Sequence, residues 1–103
     1  MLVFPMLVYV NGHFLARDEA RISVFDHGYL YGDGVYETLR AYGGKVFLLS
    51  KHLDRLRKSA KAIGLSLPLS LEKIGDALRE SLTVNKLQDA YLRIQVSRGI
   101  GDI

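Results

Sequence analysis

Arg55 stands three residues after His52 and four before Ser59, so on a helix the three side chains share one side. A guanidinium in that place suits a phosphate, because its planar fork donates two parallel charge-assisted hydrogen bonds. Taken alone, it is better explained as a solvated arginine, or one paired with Asp54 on the same helix. A second set lies between Val35 and Tyr42. In an extended strand Tyr36, Thr38 and Arg40 point to one side, and Val35, Glu37, Leu39 and Ala41 to the other. Tyrosine offers an apolar wall with a polar tip, which suits a pocket for an amino acid with an aliphatic side chain. Tyr91 and Arg93 form a third set with one residue between them, hence one face of a strand. An arginine beside a phenol can hold a carboxylate bidentately while the phenol orients it. The plain alternative for the second and third sets is interface tyrosines and a solvated edge face.

The segment from Asp26 to Gly34 leads into the second set and carries Gly28, Gly32 and Gly34 within seven residues, interleaved with Tyr29 and Tyr31. Glycines allow tight bends or close approach to a ligand, and this density of aromatic and ionic side chains between them reads as a pocket wall.

The elements that must position these residues follow from pattern. Leu7 to Arg21 reads as two short strands around Asn11-Gly12, and Val35–Tyr42 with Val46–Leu49 as a second hairpin around Gly43-Gly44-Lys45. A helix runs from an N-cap at Ser50 to a stop at Gly64, with Leu53, Leu56, Ala60 and Ile63 as its apolar stripe. A second helix starts at Ser70, with Leu69 and Ile74 at hydrophobic-staple positions and Leu71, Leu78 and Leu82 along its apolar side. It ends near Asn85, which would adopt a left-handed conformation. Ala90–Ser97 alternates polar Tyr91, Arg93, Gln95 and Ser97 with apolar Leu92, Ile94 and Val96, a half-buried strand. The fold class expected is α+β, an antiparallel sheet built from hairpins with two helices packed on one face. The apolar run from Met1 to Val10 reads as a loose lead-in to a strand, and Gly99 to Ile103 as a loop cut off in passing.

Composition narrows the function classes. The 103 residues are 49% hydrophobic, enough for one domain with a core. The net charge of +3 is spread over the chain, which disfavours nucleic acid as a partner. There is no cysteine for a disulfide or thiolate site, which fits a reducing, cytoplasmic setting, and the three histidines form no close pair for zinc. The N-terminal apolar run is too short to span a membrane.

Taken in order, Gly32-Asp33-Gly34-Val35-Tyr36-Glu37, His52-Leu53-Asp54-Arg55-Leu56 and Tyr91-Leu92-Arg93 resemble the N-terminal half of the fold-type IV, or class IV, pyridoxal-phosphate enzymes. That family contains branched-chain aminotransferases, D-amino acid aminotransferases and aminodeoxychorismate lyases. The resemblance extends from Leu7 over nearly the whole chain and is nearest to the branched-chain branch, to which Val96-Ser97-Arg98-Gly99-Ile100-Gly101-Asp102 also points. It implies that Arg55 grips the phosphate of pyridoxal 5'-phosphate, and that Tyr31, Tyr36, Arg40, Tyr91 and Arg93 line the substrate pocket. Thr38 departs from the glycine common in branched-chain enzymes, and Gly-Asp-Gly-Val-Tyr-Glu is shared with the D-amino acid branch. No histidine follows Arg93 to build that branch's carboxylate trap.

The resemblance further implies an amino group moved between a branched-chain amino acid and 2-oxoglutarate, in a homodimer or higher oligomer. Residues 1–103 correspond to the N-terminal domain. The lysine that holds the cofactor belongs to a C-terminal domain, and none of Lys45, Lys51, Lys58, Lys61, Lys73 or Lys86 stands in its place, so the isolated chain is expected to be inactive and to expose apolar surface. D-amino acid transamination, aminodeoxychorismate cleavage, and a non-catalytic binding or dimerisation module stand as alternatives.

Overall fold

Asn11 and Gly12 both take positive φ, 50° and 92°, as a two-residue hairpin turn requires. They join β1 (Leu7–Val10) to β2 (His13–Ala16), antiparallel with Val10 opposite His13. The computed structural model describes residues 6–101; the lead-in over Met1 to Pro5 and the final Asp102 and Ile103 lie outside the described residues. The pocket-wall segment contains a helical turn that the sequence pattern did not suggest, α1 (His27–Tyr31). It is followed by β3 (Gly34–Tyr42), β4 (Lys45–Val46), α2 (Leu49–Ala62), α3 (Leu71–Val84) and β5 (Ala90–Ser97). The class is α+β, and the strands divide between two sheets: β1 with β2, and a three-stranded antiparallel sheet in the order β4-β3-β5.

The start of α2 differs from expectation. Ser50 does not cap it, because the backbone N–H of Phe47 still donates to the Arg40 carbonyl at 2.7 Å and carries strand pairing past Val46. The chain must then reverse within one residue. Leu48 does so at φ 53°, a left-handed conformation strained for a branched side chain, and the helix opens at Leu49 without a side-chain cap. This also shortens the expected strand Val46–Leu49 to Lys45–Val46. The helix ends near Gly64 as expected, but Ile63 has left the apolar stripe and is 41% exposed.

Ser70 caps α3 as its sequence suggests, its hydroxyl accepting the Lys73 N–H at 3.2 Å. Asn85 ends the helix but is not left-handed; it keeps φ −92°, and the following Lys86 turns the chain at φ 53°. The Asn85 side chain has another task. Its Oδ1 accepts the Leu7 N–H at 2.7 Å, and its Nδ2 donates to the Leu7 carbonyl at 3.0 Å and the Ser81 carbonyl at 2.8 Å. One buried amide thus substitutes for a strand neighbour and moors the separate hairpin to α3.

α2 packs on β3, and α3 packs on α2 and β1. The core is Val35 and Leu39 from β3, Leu53, Leu56 and Ala60 from α2, and Ile74 and Leu78 from α3, with Leu92, Ile94 and Val96 of β5 against it. The alternation expected for β3 and β5 is what delivers these residues to one face. Arg98 closes the far end. Its Nε donates to Asp33, and its terminal nitrogens donate to the Ile63 and Gly64 carbonyls at 2.7 and 3.2 Å, occupying acceptors that the C-terminus of α2 leaves free. The bonded guanidinium holds the Asp33 carboxyl below its ordinary range.

Asn85→Ala would strand the Leu7 N–H and carbonyl against α3. Urea unfolding is expected to show a loss of about 1–3 kcal/mol, the usual consequence of leaving buried polar groups unpaired.

Candidate functional site

β3 and β5 pair along eight positions, with Tyr36 opposite Gln95, Thr38 opposite Arg93 and Arg40 opposite Tyr91. The apolar alternate positions face the helices, so these polar residues are turned outward together. The Arg93 guanidinium lies 4.2 Å from the Tyr36 ring centre, across the diagonal of the ladder, and that of Arg40 lies 5.0 Å from the ring of its cross-strand partner Tyr91. Arg93 Nε also donates to Gln95 Oε1 at 3.3 Å. Neither arginine is paired with a carboxylate among the described residues, so both keep hydrogen-bonding edges for an anion while their faces rest on phenol rings.

Beside this face a cleft of ≈ 240 Å³ is lined by Gly28, Gly32, Gly34, Tyr36, Arg93 and Gln95, together with Val35 and Ser97. Its shape depends on α1. Asp26 caps that turn by accepting the Gly28 N–H at 2.8 Å, and Ser97 of β5 donates to the same carboxylate at 3.0 Å. Gly32 ends the turn at φ 66°, and a Cβ at Gly34 would come within 2.7 Å of the Val96 carbonyl oxygen, so the close approach of β3 to β5 there requires glycine. Tyr31, the last residue of α1, is 57% exposed and meets His27 edge to face with centroids 5.2 Å apart. Another crevice, ≈ 210 Å³, lies between α2 and α3 along Leu49, Leu53, Leu71 and Gly75, away from these groups.

Arg55 is not with Tyr36, Arg40, Tyr91 and Arg93, the four that the strands bring together. It lies on α2, on the helix-covered side of the sheet, and its partner is Glu37 of β3 rather than Asp54. Asp54 is occupied by Arg57 at 2.7 Å and Lys58 at 3.0 Å. Arg55 Nε donates to Glu37 Oε2 at 2.9 Å and its Nη2 to Oε1 at 2.8 Å, while His52 Nδ1 lies 2.8 Å from the same Oε1. The shared side of His52 and Arg55 therefore converges on a carboxylate. Glu37 is 5% exposed, beside Val35 and Leu39 on the buried face of β3. Hydrogen bonds from Arg55, and then from His52, hold its carboxyl below the ordinary glutamate range against the opposing effect of burial. In turn Glu37 raises the Arg55 guanidinium further above its already high value. Sequence reasoning put Glu37 on the inward side without giving it a role. The available signal was a lone carboxylate on an otherwise apolar strand face opposite a helix bearing His52 and Arg55.

Comparison with known proteins places this geometry. Residues 34–103 match the family described as amino-transferase class IV. A putative branched-chain-amino-acid aminotransferase of Methanocaldococcus jannaschii is 52% identical over 98 residues, 95% of this chain and 34% of that protein. A D-alanine aminotransferase of Staphylococcus haemolyticus is 43% identical over 93 residues, 90% of this chain and 33% of that one. The chain thus spans about a third of the length of these curated relatives. Among solved structures, the branched-chain amino acid aminotransferase from Escherichia coli superposes with a TM-score of 0.86 at 28% identity, covering 92% of this chain and 34% of that one. That of Thermoproteus uzoniensis with norvaline gives 0.81 at 35% identity over 88% of this chain and 32% of its own. With a family model matched from Gly34 onward and relatives at this identity across nearly all its residues, the chain belongs to the class IV amino-transferases.

Proposed function

We propose that residues 1–103 form the N-terminal domain of a pyridoxal-phosphate-dependent aminotransferase that moves the amino group of a branched-chain amino acid to 2-oxoglutarate. The observation that carries this reading is the outward face of β3 and β5, where Arg40 and Arg93 stand stacked on tyrosines with no counter-charge among the described residues. They are diagonal neighbours in the ladder, roughly 7–8 Å apart at the backbone and within reach of each other through long side chains. Two such forks suit the two ends of a dicarboxylate, and one suffices for the α-carboxylate of a branched-chain amino acid, whose aliphatic side chain would lie on the Tyr36 and Tyr91 rings. Tyr31, on α1 between the cleft-lining Gly28 and Gly32, would limit the pocket from that side.

The cofactor fits in one respect that this chain supplies. Arg55 presents an exposed guanidinium with donors to spare, the group that would hold the phosphate. When bound, pyridoxal phosphate provides the electron sink that allows an amino acid to lose its α-proton. Within this chain Arg55 would bind and the outward face would orient the substrate. The amine that moves the proton is assigned to none of the chain's lysines and would come from a C-terminal domain.

D-alanine transamination is the second reading, favoured by the Staphylococcus relative and by Thr38, which stands on the outward face between Tyr36 and Arg40. Against it, the chain's three histidines, His13, His27 and His52, all lie off the outward face of β3 and β5.

In the full-length polypeptide, L-leucine with 2-oxoglutarate is expected to be turned over faster than D-alanine with the same acceptor; faster turnover of D-alanine would favour the second reading. Arg93→Gln is expected to raise the KM for 2-oxoglutarate tenfold or more, roughly the effect of one charged hydrogen bond, and an unchanged KM would remove Arg93 from the carboxylate site. Arg55→Ala is expected to weaken pyridoxal phosphate binding by about tenfold to a hundredfold in equilibrium titration.

A further inference from the structure

We propose that Glu37 is a positioning residue that aims Arg55 at the phosphate, an inference that rests on the assignment of Arg55 above. A guanidinium carries five N–H donors arranged along distinct edges. In Arg55 the side edge is committed: Nε donates to Glu37 Oε2 at 2.9 Å, and one Nη2 hydrogen goes to Oε1 at 2.8 Å. His52 does not compete for the others. Its Nδ1 lies 2.8 Å from Glu37 Oε1, so Nδ1 must carry the hydrogen and cannot accept from Arg55, although Nη2 lies 3.5 Å away. What remains is the end-on fork, both Nη1 hydrogens and the second Nη2 hydrogen, with no partner among the described residues.

The two sides of the pair differ in environment. The Glu37 side chain is 6% exposed and that of Arg55 67%. A buried carboxylate fixed by the β3 backbone thus orients an exposed, long and otherwise mobile cation, and Arg55 loses rotamer freedom before any ligand arrives. For stability alone the arrangement is a poor choice, because an apolar residue beside Val35 and Leu39 would pack there without desolvating a charge.

The proposal makes a prediction opposite to charge counting. Glu37 offsets the positive charge of Arg55, so its removal should tighten phosphate binding if net charge governs, and weaken it if orientation governs. Pyridoxal phosphate and pyridoxal, which lacks the phosphate, would be titrated against the apo form of the full-length polypeptide, and the ratio of the two affinities isolates the phosphate contribution. Glu37→Gln is expected to shrink that ratio about tenfold with pyridoxal affinity unchanged, and to have no further effect in an Arg55→Ala background. A ratio that stays constant or grows in Glu37→Gln while falling in Arg55→Ala overturns the role of Glu37 and leaves Arg55 as the phosphate ligand. A ratio unmoved by Arg55→Ala overturns the assignment of Arg55 itself, and with it this inference. If circular dichroism shows Glu37→Gln to be unfolded, Glu37→Asp takes its place, since it keeps the charge but withdraws the carboxylate by one methylene from both partners. The same shrinkage is expected there, and a wild-type ratio overturns the proposal.

Discussion

The structure turns on a carboxylate in an apolar place. Glu37 occupies a strand position whose neighbours on the same face, Val35 and Leu39, are buried against α2. A charge there persists only with partners close and well directed. Both partners come from α2, three residues apart, so satisfying Glu37 fixes the rotation of that helix about its axis and its height along β3. The apolar stripe of Leu53, Leu56 and Ala60 sets which side of α2 is inward, but leucines tolerate sliding in a way that bidentate hydrogen bonds do not. The polar triad therefore supplies register where the hydrophobic contacts supply most of the adhesion.

Once α2 covers one face of β3, strand alternation leaves the other face to whatever is not core. Tyr36, Thr38 and Arg40 are outward because Val35, Glu37 and Leu39 are inward, and β5 repeats the rule with Tyr91, Arg93 and Gln95. Antiparallel pairing brings the two sets into one patch and determines which rings lie under which guanidinium. Placing Arg55 on the helix-covered side of the sheet and Arg40 and Arg93 on the other also keeps three cations from repelling one another. Arg55 is neutralised locally by Glu37, whereas Arg40 and Arg93 rest on aromatic faces, with Arg93 also donating to the neutral Gln95 amide.

Much of this frame was legible in the sequence. Alternation in Val35–Tyr42 and Ala90–Ser97 gave the inward and outward sets, and Asn11-Gly12, Ser70 and Gly64 marked boundaries through local backbone chemistry that needs no tertiary context. What escaped was decided by contacts distant in the chain. Asn85 is an ordinary helix terminator until β1 arrives with an unpaired backbone edge seventy-eight residues away, and then its amide is worth more as a partner to Leu7 than as a left-handed turn. Ser50 had the right chemistry for a cap, but the pairing of Phe47 with Arg40 consumed the residues that would have led up to it. The turn α1 has five residues including a glycine, too short for a periodic signal, and is held by Asp26, Ser97 and the left-handed Gly32. Glu37 escaped for a related reason: strand periodicity reports which way a side chain points, and not which helix will meet it.

The same division of faces decides what a substitution changes. An inward substitution at Leu39 or Leu56, both essentially without solvent exposure, would open a cavity or force a shift in the packed core. An outward substitution at Thr38 or Gln95 changes only what a ligand meets, and leaves the core packing intact. The orientation of Arg55 is instead tied, through Glu37, to the packing of α2 against β3.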